Sequence, residues 1–179
     1  MKPLLFLIGY RGTGKTTIGQ LLAQRIGWDF VDADFHLEAS CGKSIKQIFA
    51  TQGEPAFRDL ESRTLRELCG RERLVVGTGG GVIGRDENRA LLRAAGYVVW
   101  LTADVDTIAA RLAADPSTSE RRPNLSTGGL AEIAELLRLR EPLYRASADL
   151  EVDTRDRSPQ ELTETILNAW RSSGSSSSG

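Results

Sequence analysis

The chain has 179 residues, with 23 Lys and Arg against 24 Asp and Glu and a net charge of −1 at pH 7. That length suits one α/β domain with a full core, and the charge balance argues against nucleic acid or an anionic membrane as partner. Cys41 and Cys69 fit no CxxC or zinc spacing and no run reaches transmembrane length, so reduced thiols in the cytoplasm are expected.

Leu4-Leu5-Phe6-Leu7-Ile8 reads as a buried parallel strand, and its early start leaves no room for a signal or transit peptide. It runs into Gly9-Tyr-Arg-Gly-Thr-Gly-Lys-Thr-Thr17, which matches G-x-x-x-x-G-K-[ST]. Glycines let the backbone curl until successive N–H groups, from Gly12 to Thr17, converge on phosphate oxygens. Lys15 adds an ammonium near the β- and γ-phosphates, and Thr16 offers a hydroxyl to Mg²⁺. Ile18, Leu21, Leu22 and Ile26 then recur at helical spacing, with Gly27 as C-cap. Strand, loop and helix stand in the order that a nucleotide-binding P-loop requires.

Asp29-Phe30-Val31 forms the second strand and leads into Asp32-Ala33-Asp34. Two carboxylates at a strand end repel unless a cation or donor lies between them, and beside a P-loop that cation is Mg²⁺. A capping Asp34 with a solvated neighbour is the alternative. The third strand, Leu74-Val75-Val76, runs into Gly77-Thr78-Gly79-Gly80-Gly81 without the aspartate of a Walker B motif. Asp32 is therefore the nearest candidate for the metal-side acid.

The long stretch between these strands predicts a helical substrate-binding insertion over 33–61. Ser44 and Gln47 make a capping box, Gly53-Glu54-Pro55 breaks the helix, and Phe57, Leu60, Thr64 and Leu68 mark a second stripe. Arg58 opens that stripe, either facing a ligand or pairing locally with Glu61. His36 reads as a surface residue. Gly79-Gly80-Gly81 exposes backbone N–H groups at the carboxyl edge of the sheet, where open α/β folds bind ligands.

Asn88–Ala95 predicts a helix, Tyr97–Leu101 the fourth strand, and Val105, Ile108, Ala109 and Leu112 another helix. Residues 113–129 read as a mobile lid, with Arg121 and Arg122 as a phosphate clamp. A helix from about Leu130 carries Arg140 and Tyr144 on its apolar stripe, where a guanidinium needs an anionic partner, and Pro142 should weaken or kink it. Leu150–Asp153 is the fifth strand, and Ser158-Pro159-Gln160-Glu161 opens the last helix, to about Trp170. The Ser/Gly tail 172–179 is expected to be disordered. One domain over 1–171 results: an α/β P-loop three-layer sandwich with a five-stranded parallel sheet, the insertion and the lid.

The P-loop, Phe-Val-Asp-Ala-Asp, Phe57-Arg58 with Glu61, Gly-Thr-Gly-Gly-Gly, Arg122-Pro123 and Arg140-Glu-Pro-Leu-Tyr-Arg145 resemble the motifs of shikimate kinases, in their order and spacing. The resemblance covers roughly residues 1–170. It implies an ATP- and Mg²⁺-dependent kinase of the nucleoside-monophosphate-kinase-like fold, acting on the 3-hydroxyl of shikimate as a cytoplasmic monomer.

By this resemblance, Lys15 would contact the β/γ-phosphates, Thr16 would ligate Mg²⁺, and Asp32 would hold it through water. Asp34 would bind the shikimate hydroxyls and serve as base. Arg58, Arg140 and a Gly80 backbone donor would grip the carboxylate, with Phe49 and Phe57 near the ring. Arg122 would be the lid residue on the transferred phosphate, and Arg111 and Arg157 would flank the adenine, with Pro159 nearby. The planar arginine fork suits a carboxylate because it can bond both oxygens at once. A gluconate-type kinase would share the P-loop but lacks its usual motif here. A non-catalytic ATP-binding module would not need Asp34 and both arginines.

Overall fold

In the computed structural model, which describes residues 2–115 and 129–175, β1 (Leu4–Ile8) lies in the middle of a five-stranded sheet. The other strands are β2 (Asp29–Asp32), β3 (Leu74–Gly77), β4 (Tyr97–Thr102) and β5 (Leu150–Asp153). Their order is β2-β3-β1-β4-β5, and every pairing is parallel.

The all-apolar run of β1 has one cause: both faces of the strand are covered. Side chains alternate across a strand, so Leu5 and Leu7 enter one core and Leu4, Phe6 and Ile8 the other. Helices α1 (Lys15–Ile26) and α7 (Pro159–Ser175) close the first face, where Trp28 meets Trp170 edge-on at 5.1 Å. The second face is covered by α3 (Ile45–Cys69), α4 (Asp86–Ala95) and α6 (Gly129–Ser147). Two helices complete the set: α2 (Ala33–Cys41) and α5 (Val105–Ala114). No helix among the described residues is long and apolar enough to cross a membrane.

The insertion after β2 has its own small core of Leu37, Ile45, Ile48 and Phe57. Ser44 and Gln47 cap it reciprocally, as expected. The expected break at Gly53-Glu54-Pro55 takes the form of a bend: Gly53 alone leaves helical geometry (φ 80°, ψ 175°) and α3 continues beyond it. Pro142 likewise does not end α6, which runs on to Ser147 because Tyr144 anchors its last turns in the core. At the far end, α7 reaches Ser175 where disorder was expected from Ser172. The Ser172 and Ser173 hydroxyls bond back to the Asn168 and Trp170 carbonyls and prolong the helix.

Gly96 sets how closely β4 can start beside β1. A methyl group there would stand 2.7 Å from the Leu4 carbonyl oxygen and 2.6 Å from the Phe6 ring. Backbone cannot yield as a flexible side chain can. Gly96→Ala should therefore lower the unfolding free energy by about 1–3 kcal/mol, measured by urea denaturation. Gly84→Ala, whose methyl would meet nothing within 4 Å, should stay within about 0.5 kcal/mol of wild type. Equal effects would contradict the packing.

Candidate active site

The P-loop begins where β1 runs out. Gly9 takes φ 139°, and a side chain there would collide with the Leu101 carbonyl. Gly14 caps α1 in the left-handed region at φ 89°. Between them, the buried Thr13 hydroxyl donates to the Tyr10 carbonyl at 2.8 Å and holds the curl from inside. Lys15 Nζ donates to the carbonyls of Gly9 (2.9 Å) and Tyr10 (2.7 Å), so the ammonium lies folded over the loop. From α5, Arg111 donates to the Gly12 carbonyl at 3.2 Å and to the Thr154 hydroxyl and carbonyl, both at 2.9 Å. The helix N-terminus, glycines and ammonium together make an anion cradle.

The acids come from the end of β2, the edge strand beside β3. Asp32, and not Asp34, is the N-cap of α2: Oδ1 accepts from the Asp34 and Phe35 amides at 3.0 and 3.3 Å. Its other oxygen accepts from the Thr16 hydroxyl at 3.2 Å. Burial, with the Asp34 charge behind it, holds the Asp32 carboxyl above its usual range. Two carboxylates and a hydroxyl form an all-oxygen donor set suited to a hard divalent cation. Among the described residues no cluster of three or more His, Cys, Asp or Glu makes a complete protein cage. That fits Mg²⁺, which keeps waters and takes substrate phosphates as ligands.

On the other side of β3's carboxyl end, the Arg58 guanidinium occupies the space where a side chain at Gly81 would go. The local pairing read from sequence is formed: Arg58 donates to Glu61 at 2.8 Å, and to Glu54 at 3.1 and 3.3 Å. Arg140 stands over the preceding glycine, its Nη1 3.7 Å from where a Gly80 Cβ would lie. Among the described residues, no ion pair with a carboxylate is formed by Arg140. Phe49 packs on Phe57 with ring centroids 4.8 Å apart, but Phe57 is fully buried and supports the wall from behind.

An open cleft of about 440 Å³ runs from the P-loop to the glycine run; its lining includes Gly12, Gly14, Lys15, Thr16, Thr17, Asp32, Asp34, Gly80 and Arg111, while Arg58, Gly81 and Arg140 stand beyond it. Arg157 is not brought to it: the side chain bonds the Thr165 hydroxyl and Glu161 carbonyl on α7. Arg121, Arg122 and most of the 113–129 segment lie outside the described residues. His36 pairs with Glu67 at 2.9 Å, consistent with a structural role. Arg11, Phe35 and Thr78 also line the cleft and were not selected from sequence. The P-loop signature leaves the Arg11 position free, and Thr78 stood in the same glycine run as Gly80.

A sequence model of shikimate kinase matches residues 11–171. The shikimate kinase of Rhodopirellula baltica is 45% identical over 170 residues, covering 94% of this chain and 91% of its own length. The chain belongs to the shikimate kinase family. The enzyme of Nitratidesulfovibrio vulgaris is 48% identical over 145 residues, covering 80% of this chain and 82% of its own. Among solved structures, the shikimate kinase from Acinetobacter baumannii in complex with shikimate superposes with a TM-score of 0.90 at 35% identity, over 97% of this chain and 95% of that one. A gluconokinase from Sinorhizobium meliloti, at 16% identity and a TM-score of 0.56, shares the fold alone.

The contact between Arg58 and Gly81 gives this shikimate kinase family member a direct test. Gly81 has φ −97°, which any residue adopts, so Gly81→Ala adds only a methyl group. The methyl would displace the end of a flexible side chain and leave the fold intact. Shikimate KM should rise by about tenfold or more, the scale of a hydrogen bond to a charged group, while ATP KM stays put. Unchanged shikimate KM would remove Arg58 from the acceptor site.

Proposed function

We propose that this chain transfers the γ-phosphoryl group of ATP to the 3-hydroxyl of shikimate. One observation carries the choice of acceptor: two arginines, from α3 and α6, converge on the consecutive glycines Gly81 and Gly80 at the edge of the P-loop cleft. Two guanidinium forks at one backbone step suit a carboxylate, and the Gly80 amide adds a donor without a side chain in the way.

Phosphoryl transfer asks the protein for position and charge rather than covalent chemistry. The first turn of α1 and the P-loop amides receive the phosphates, and Lys15 exchanges its two carbonyl contacts for phosphate oxygens. Thr16 would ligate Mg²⁺ and Asp32 would hold it, and the ion would supply charge neutralisation for the phosphates when bound. Asp34 lines the cleft between the P-loop and Gly80, within the region where an acceptor hydroxyl must lie, and takes its proton. Arg111 belongs to the nucleotide side; Arg157 would join it on releasing Thr165. Residues 33–61 serve as the acceptor subdomain, and 113–129 as a lid that brings Arg122 to the transferring phosphate.

Arg140 offers the cleaner test of the carboxylate. Arg58→Ala also strips the buried Glu61 of its ion-pair partner and endangers the insertion. Arg140→Ala should cost about 2–5 kcal/mol in kcat/KM for shikimate, and lysine should rescue poorly. The methyl ester of shikimate should be a poor substrate for wild type and lose little more in the variant. Equal wild-type activity on acid and ester would remove the carboxylate from the reading.

A further inference from the structure

Tyr144 is fully buried, and its hydroxyl donates to the Gly80 carbonyl at 2.5 Å. Its ring stacks on Trp100, 5.7 Å between centroids at 19°, which fixes the direction of the phenol. The Arg140 guanidinium approaches the same glycine as the phenolic oxygen. The position a Gly80 Cβ would take lies 3.5 Å from that oxygen and 3.7 Å from Arg140 Nη1. One hydroxyl thus meets a backbone carbonyl of the glycine run beside one of the two cationic forks.

We infer that Tyr144 is a positioning residue for acceptor recognition, tying the Gly80–Gly81 peptide and Arg140 into one carboxylate-binding unit; this rests on the reading of the site given above. A peptide unit is planar, so holding the Gly80 carbonyl on one side aims the Gly81 N–H to the other, a second backbone donor beside the Gly80 N–H named above. A hydrogen bond on that carbonyl also polarises the N–H across the same plane. The Arg58 guanidinium lies on Gly81 and Arg140 approaches Gly80, so the tethered peptide joins the two glycines that the forks reach. Glycine has the greatest backbone freedom to lose, and this run has three in succession. The Val82 and Gly84 amides already hold the Gly79 and Gly81 carbonyls, and Tyr144 adds the hold on the carbonyl between them. Arg140 gains equally: the hydroxyl gives a half-buried, rotamer-rich side chain a fixed neighbour in a site where no ion pair with a carboxylate among the described residues holds it. Burial pushes the Tyr144 phenol up to about 12, so it stays protonated and able to donate throughout the neutral range.

Tyr144→Phe keeps the ring on Trp100 and removes only the hydroxyl. With the full-length enzyme, KM for shikimate should rise about three- to tenfold, the scale of one net hydrogen bond. KM for ATP should stay within about twofold. A loss confined to the acid, with the methyl ester unaffected, would separate this role from general loosening of the core. Equal losses on acid and ester, a matching rise in KM for ATP, or no change would each overturn the assignment to Tyr144. If wild type itself fails to discriminate acid from ester, the underlying carboxylate reading falls instead. Should the variant not fold, wild-type ¹⁵N spectra pose the same question. The Gly81 amide resonance should move on adding shikimate and hold still on adding its methyl ester, and an identical response to both would overturn the tether.

Discussion

The volume next to Gly81 can be filled only once, and the Arg58 guanidinium fills it. That single packing constraint joins the carboxyl edge of β3 to the helical insertion. A side chain at Gly81 would push the guanidinium away, and loss of the bend at Gly53 would redirect the half of α3 that carries it. Glu61, buried on the same helix, and Glu54 hold the fork in place by ion pairs. Arg140 reaches the neighbouring glycine because α6 continues through Pro142 with Tyr144 locked in the core. An interior proline costs a helix a hydrogen bond and typically about 3 kcal/mol; the packing of the following turn outweighs that loss.

The cleft has a sharply divided charge. Its acid wall, Asp32 and Asp34, closes one side, while Lys15, Arg11 and Arg111 stand along the phosphate side. Burial and mutual repulsion hold Asp32 above the usual carboxylate range, so the wall is a site whose own charge calls for a cation. The loop geometry is maintained from within by Thr13 and from outside by Arg111, which ties Gly12 to Thr154 at the end of β5. The hydroxyl of Thr154 donates in turn to the Thr102 carbonyl on β4. Three strand ends therefore support one phosphate cradle.

What the sequence made legible was local. The P-loop, the five strands, the Ser44–Gln47 box and the start of α7 each announce themselves within a few residues, because caps and apolar runs are short-range physics. Which of Asp32 and Asp34 caps α2 was harder to read, since either could; the Asp34 and Phe35 amides bonded to Asp32 decide it. Arg58 was legible as an ambiguous residue: the local pair with Glu61 is formed, and the guanidinium also abuts Gly81. Phe57 looked like a ring contact, yet the insertion's own core takes it fully inside, a tertiary effect no helical stripe reveals. Arg157 follows its family motif in sequence but bonds to α7 in space. The role proposed for Tyr144 depends on a contact between residues 64 positions apart, for which an apolar stripe gives no signal.

The central claim is that the arginine pair, the glycine edge and the P-loop act on one acceptor. It is tested most directly by the rate of ADP formation from Mg·ATP with shikimate, with D-gluconate, and with no acceptor. The account predicts ADP release that depends on shikimate, equals the phosphorylated shikimate formed, and favours shikimate over gluconate by on the order of a thousandfold in kcat/KM. ATP turnover indifferent to shikimate, or equal with gluconate, would contradict it.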